Sequence, residues 1–234
     1  MEDCAVKVQA IAFDLDDTLL DFTAGEACAL SKALRQFGIR PTPSILERYH
    51  VINLSQWELL EEGKLTRDQV LTRRFDILFA ELGVRLSSSQ VCGLYERLLA
   101  EEHVLMPGTR ELLETLAPRY DLYLASNGAA AVQYRRLDGG DLSRYFRGIF
   151  ISEEVGFDKP DRRFFDACFA AIPGFDPMTA LMVGDSLTSD IRGGGNAGIR
   201  TCWFDPMGKP PRPGIKPDCR ITALSQLPAL LKRL

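Results

Sequence analysis

Apolar and polar positions change their spacing several times along the chain, and each change marks a predicted element. Between Val8 and Leu20 (VQAIAFDLDDTLL) the apolar residues Val8, Ile11 and Phe13 enclose the small Ala10 and Ala12, then give way at once to acids. Such a run suits a strand buried on both faces. From Asp21 to about Met106 the spacing becomes three and four residues, predicting helices near 23–37, 43–62, 67–82 and 88–103. The first carries Ala29, Leu30, Ala33, Leu34 and Phe37, the third Val70, Leu71, Phe75, Leu78, Phe79 and Leu82. Gly38, Gly63, Gly83 and the serines at 87–89 punctuate them as caps and turns do.

After Pro107-Gly108 strands and helices alternate. A helix near 109–117 leads to a strand at 120–125, then come a helix around 129–137, a strand at 147–152, and a helix from Pro160 to about Ala171 with the proline near its first turn. A strand at 180–184, a short helical stretch from about Ser189 to Gly195, strands at 200–204 and 218–221, and a C-terminal helix complete the chain. Alternation of this kind implies an α/β fold with a doubly wound parallel sheet and right-handed crossovers. The expected organisation is a core of residues 1–20 and 107–234 with a helical unit, 21–106, inserted after the first strand. The three glycines at 193–195 predict a short helix packed closely against the sheet, and Pro206 to Pro217 a rigid surface loop.

Composition narrows the function classes. The 234 residues are 46% hydrophobic and 26% charged, ordinary for a globular protein, and the net charge of -4 provides no basic footprint for a nucleic acid polymer or an anionic membrane. The six cysteines, Cys4, Cys28, Cys92, Cys168, Cys202 and Cys219, are scattered, without C-x-x-C pairs or zinc spacing, and read as small buried hydrophobes in a reducing compartment. With Glu2 and Asp3 where a signal peptide would be basic, and no apolar run near the ~20 residues of a membrane span, the expected location is cytoplasmic.

The chemistry lies at the strand ends. Residues two apart in a strand point the same way, so Asp14 and Asp16 are expected to project together, while Asp17 need not join them. Two converging acids repel unless a cation or proton compensates. Helix capping by Asp16, Asp17 or Thr18 is the plainer alternative. Later strand ends add Ser126-Asn127-Gly128, Lys159 and the run Gly184-Asp185-Ser186-Leu187-Thr188-Ser189-Asp190. Singly, Ser126, Asp185 and Asp190 could be caps and Lys159 a surface lysine; together, in this order, they fit phosphoryl transfer. In that reading Asp14 and Asp185 offer hard oxygens to Mg²⁺ and Asp14 attacks phosphorus. Asp16 protonates the leaving oxygen and later deprotonates water. Ser126 and the backbone at Asn127 and Gly128 hold phosphate oxygens, Lys159 neutralises charge, and Asp190 orients water on the metal.

Asp14-Leu15-Asp16-Asp17-Thr18, Ser126-Asn127-Gly128, Lys159-Pro160 and Gly184 to Asp190 resemble the four signature motifs of the haloacid dehalogenase (HAD) superfamily, across nearly the whole chain. The resemblance implies a Rossmann-like core, obligatory Mg²⁺, an aspartyl-phosphate enzyme, a metal ligand in the carbonyl of Asp16, and a helical type 1 cap at 21–106. Because the dehalogenases lack the second acid, Asp16 implies a phosphatase. A finer resemblance to the bacterial pyrimidine 5'-nucleotidases rests on Asn53-Leu54-Ser55-Gln56-Trp57, on 61–70, on 151–160 and on 183–203. It implies a nucleoside monophosphate substrate; a sugar phosphate, phosphoglycolate, a phosphomutase reaction and a non-catalytic binding protein are the alternatives. Trp57, with Asn53 one helical turn earlier, either faces a base or packs beside Leu60.

Overall fold

A computed structural model describes residues 7–234. They fall into two compact units, one taking the residues up to Asp21 with Leu105–Leu234, the other Phe22–Val104. In chain order the first unit opens with β1 (Ala10–Phe13). The second unit holds α1 (Phe22–Gln36), α2 (Pro43–Glu61), α3 (Arg67–Leu82) and α4 (Ser88–Leu99). The first then resumes with α5 (Thr109–Leu116), β2 (Asp121–Ser126), α6 (Ala130–Gly139), β3 (Gly148–Ile151), α7 (Ser152–Val155) and α8 (Arg162–Ala170). It ends with β4 (Ala180–Gly184), α9 (Arg192–Ala197), β5 (Arg200–Phe204), β6 (Cys219–Ile221) and α10 (Leu227–Leu231).

The six strands form one parallel sheet in the order β3-β2-β1-β4-β5-β6. Apolar side chains on both faces explain why. Ile11, Phe13, Leu122, Leu124, Leu181 and Val183 face one layer with Leu112, Leu116 and Leu227 of α5 and α10. The residues between them, Ala10, Tyr123, Ala125, Ala180 and Met182, face the other, against Phe164 and Phe165 of α8 and Ala197 of α9. The period of two is a strand's, and helices on both faces are what a parallel sheet requires. The chain passes from β1 outward through β2 to β3, then returns to β4 on the other side of β1. That reversal makes the carboxyl ends of β1 and β4 the topological switch point, where open α/β sheets bind ligands.

The helical unit has an interior of its own. Thr42 caps α2 by accepting from the Ile45 amide, with Pro43 in the first turn, and Thr66 and Gln69 form a capping box on α3. Tyr49, Phe75 and Tyr95 pack ring on ring, with Tyr49 and Phe75 centroids 5.1 Å apart. Beside them runs a buried polar chain. Arg74 donates to Asn53 Oδ1 at 3.0 Å, Asn53 Nδ2 donates to Glu26 at 2.7 Å, and His50 Nδ1 lies 2.7 Å from the other Glu26 oxygen.

This corrects one expectation. Asn53 is bonded inside the helical unit, where it links the buried charges of Arg74 and Glu26, and its amide is not turned out to read a ligand. Trp57, half-buried, lies under the Arg67 guanidinium at 5.8 Å. Two further expectations shift. Pro160 precedes α8 and Asp161 caps it, accepting from Arg163 N. The stretch from 189 begins as a π-helical turn, Leu187–Ile191, before α9. Cys92, Cys168 and Cys202 are buried, Cys28 and Cys219 half-buried, and Cys4 lies outside the described residues. No helix among the described residues is long and apolar enough to cross a membrane.

Candidate active site

The site grows from the end of β1. Asp14 continues the ladder through its amide to Val183 O of β4 at 2.9 Å, which fixes its carboxyl beside the end of that strand. The chain then leaves the sheet: Asp17 takes a left-handed φ of 54°, a conformation aspartate tolerates better than most residues, and its amide bonds Leu20 O at 2.8 Å. Thr18 in this turn is fully buried, and its Oγ1 accepts from Asp185 N at 3.1 Å, so the first acidic motif is tied to the last.

Lys159 reaches the same point from the loop before α8. Its ammonium is 1% exposed and donates to Asp14 Oδ1 at 2.8 Å, Asp190 Oδ1 at 2.7 Å and Ala125 O at 2.6 Å. All three protons are thus directed at the protein, so a phosphate oxygen would have to displace one of these partners. Burial works against the lysine's charge, but Asp14 and Asp190 outweigh it and hold the ammonium above its ordinary range. Asn127 clamps this loop: its side chain exchanges two 2.8 Å hydrogen bonds with the Lys159 N–H and C=O. Asn127 is therefore placed to hold a ligand through its main chain only.

Two motif glycines make room for polar side chains. A Cβ on Gly184 would lie 2.1 Å from Asp190 Oδ2, and one on Gly128 2.3 Å from Gln133 Nε2. Asp190 is buried, with its second oxygen accepting from Ser186 N at 3.0 Å. Ser126 Oγ accepts from Gly128 N at 3.1 Å and from Gln133 Nε2 at 2.8 Å. Both lone pairs being used, its own O–H is left to donate to an incoming oxygen.

Asp14, Asp185 and Asp190 each offer an oxygen, and these oxygens lie within 4.8 Å of one another. Burial pushes the Asp14 carboxyl well above its usual range; Lys159 opposes this and Asp190, Asp16 and Asp185 reinforce it. Asp185 is pushed up to about 7, again by burial, with Lys209 opposing from 3.1 Å. One buried lysine and one half-exposed lysine do not neutralise three acids. A hard divalent cation fits this donor set: oxygen ligands, negative charge in excess and a crevice at a strand end. Asp190, bonded through both oxygens, stands behind Asp14 and Asp185 in availability.

Asp16 lies close enough to Asp14 for its charge to push the Asp14 carboxyl further up, without joining the three acids that could hold a metal. Its carboxyl is absent from the cluster of three, since Gln133 Nε2 donates to Oδ2 at 2.7 Å and Arg136 Nη1 binds Oδ1. Sequence reading missed Gln133 and Arg136, which sit three apart on the buried face of α6 beside Val132 and Leu137. Buried polar residues on an apolar helix face were the available signal. Lys209, in the proline-rich loop, had none.

Comparison with known proteins agrees with this geometry. A family model described as haloacid dehalogenase-like hydrolase matches residues 8–198. YfnB of Bacillus subtilis is 40% identical over 94% of this chain and 94% of its own. A crystal structure of YfnB bound to magnesium superposes with a TM-score of 0.93, covering 96% of this chain and 99% of that one. The pyrimidine 5'-nucleotidase PynA of Streptococcus pneumoniae is 40% identical over 84% of this chain and 83% of its own. The pyrimidine 5'-nucleotidase YjjG of Escherichia coli is 31% identical over 97% and 99%. With the sheet order, the acid cluster and these matches in agreement, the chain belongs to the haloacid dehalogenase-like hydrolases.

Proposed function

We propose that the protein is a Mg²⁺-dependent phosphomonoesterase acting on nucleoside monophosphates, pyrimidine ones first. The observation that carries the chemistry is Asp14, buried at the end of β1, bonded to Lys159 and within 4.8 Å of carboxyl oxygens of Asp185 and Asp190. Likeness to two pyrimidine 5'-nucleotidases supports the substrate class.

Asp14 and Asp185, with the main-chain carbonyl of Asp16, would hold the Mg²⁺, which supplies positive charge against the phosphate oxygens. Lys159 keeps the attacking carboxylate of Asp14 oriented, and Asp190 keeps Lys159 in place. The Asp14 oxygen bonds to phosphorus as the ester P–O bond breaks, and the departing alkoxide takes a proton from Asp16. Asp16 then accepts a proton from water as that water attacks phosphorus and the P–O bond to Asp14 breaks. Ser126, through its unused O–H, and the backbone at Asn127 hold the remaining oxygens, while the Gly128 N–H, bonded to Ser126 Oγ, keeps that hydroxyl directed at them.

The test is phosphate release from a panel of nucleotides, sugar phosphates, phosphoglycolate and other small phosphoacids. Mg²⁺-stimulated release led by UMP, dUMP and dTMP is expected, with Asp14→Asn reducing kcat by about 10⁴-fold or more. Undiminished turnover in Asp14→Asn overturns the mechanism. A sugar phosphate at the head of the ranking overturns the substrate class alone, and isomerisation without free phosphate identifies a mutase.

A further inference from the structure

We propose that Gln133 and Arg136 are positioning residues for Asp16, an inference that rests on Asp16 being the acid and base described above. Both side chains are 1% exposed, although both are polar, and burying such groups is unfavourable unless they are bonded. Their bonds converge. Gln133 Nε2 donates to Asp16 Oδ2 at 2.7 Å and to Ser126 Oγ at 2.8 Å, while Gln133 Oε1 accepts from Arg136 Nη1 at 3.1 Å. Arg136 Nη1 also binds Asp16 Oδ1, so the two residues hold both oxygens of one carboxyl.

Engaging both oxygens of a carboxyl fixes its rotation about Cβ–Cγ, and Asp16 sits past the end of β1, where its backbone has left the sheet and makes an isolated bridge to Leu20. The clamp from α6 supplies that restraint, and proton transfer depends steeply on it. The same Gln133 amide touches Ser126, so the group that meets the leaving oxygen and the group offered to the phosphate are held by one side chain. Gly128 is part of the device, since any side chain there would occupy the path of Gln133.

A bond network that merely fastened α6 to the sheet would affect all substrates alike. A clamp on the proton donor affects only those whose leaving group needs a proton. The experiment therefore compares kcat/KM for UMP, which departs as a basic alkoxide, with kcat/KM for p-nitrophenyl phosphate, whose phenolate leaves unaided. Gln133→Met, which keeps the volume, is expected to lower kcat/KM for UMP by about 10²-fold and p-nitrophenyl phosphate by far less. Loss through Ser126 is common to both substrates and cancels in the ratio. Arg136→Lys, which keeps the charge but replaces the planar fork with a single ammonium nitrogen on a shorter reach, is expected to show a smaller change of the ratio in the same direction, and provides a second variant if Gln133→Met does not fold. An unchanged ratio in the folded variants, with Asp16→Asn changing it, overturns the clamp and leaves the reading of Asp16 intact. An unchanged ratio in Asp16→Asn overturns that reading, and the clamp with it.

Discussion

At the scale of single residues, the excess of buried acid has a measurable consequence. Asp185 is raised from 3.8 to about 7 by burial against the opposing Lys209, and Asp14 is raised well above the same value. An acid whose folded pKa exceeds its unfolded one contributes stability that is full below the unfolded pKa and lost as pH rises through the folded one. For Asp185 that window runs from 3.8 to about 7. Metal-free protein is therefore expected to melt at lower temperature as pH rises through neutrality, and Mg²⁺, which needs ionised ligands, to bind with proton release and to restore more stability at the higher pH. Scanning calorimetry at about pH 5.5 and about pH 8, with and without Mg²⁺, checks this; an equal Mg²⁺-induced shift at both would refute it. The types and positions of these acids were legible in the sequence, but their orientation was not. Asp16 turns to Gln133 and Arg136, and Asn127 is committed to the Lys159 backbone, through contacts that join distant segments. Alternation assigns a side chain to a face of a strand; it carries no information about which distant side chain will meet it.

At the scale of an element, α9 shows how a helix can depend on the absence of side chains. A Cβ on Gly194 would lie 2.8 Å from Thr201 Cγ2 and 3.1 Å from Met182 Cβ, so the helix rests on β4 and β5 almost backbone to side chain. On Gly193 it would lie 2.8 Å from Phe165. On Gly195 it would meet nothing within 4 Å. The three consecutive glycines should therefore respond differently to one change. Gly195→Ala is expected to stabilise the protein by up to about 1 kcal/mol through helix propensity and reduced freedom of the unfolded chain. Gly194→Ala is expected to destabilise it by about 1–3 kcal/mol through overpacking. Urea unfolding of the two variants decides, and equal effects would remove the distinction. The close packing of this helix was expected from the glycine run alone, and strands 180–184 and 200–204 emerged where the apolar runs placed them. What escaped were short pieces. The four-residue α7 is too brief to show a period, and the helix expected to reach 103 stops at Leu99 because its last residues have no apolar face to continue.

At the scale of the molecule, the chain crosses between its two units only at residues 21–22 and 104–105, and each unit buries its own apolar residues. A unit with its own interior can unfold as a separate cooperative step. The acid cluster belongs wholly to the unit of the sheet, whereas the buried chain Arg74–Asn53–Glu26 belongs wholly to the helical one. A ligand stabilises what it binds, by an amount set by its concentration relative to Kd. Thermal unfolding is therefore expected to resolve into two transitions, of which Mg²⁺ raises one. Arg74→Met leaves Asn53 Oδ1 buried without its donor and should lower the other by an equivalent of about 1–3 kcal/mol. Assignment follows from the crossing of the two perturbations: the metal moves the transition that the mutation leaves alone. One transition displaced by both would mean that the sheet and the helices unfold together, despite separate interiors.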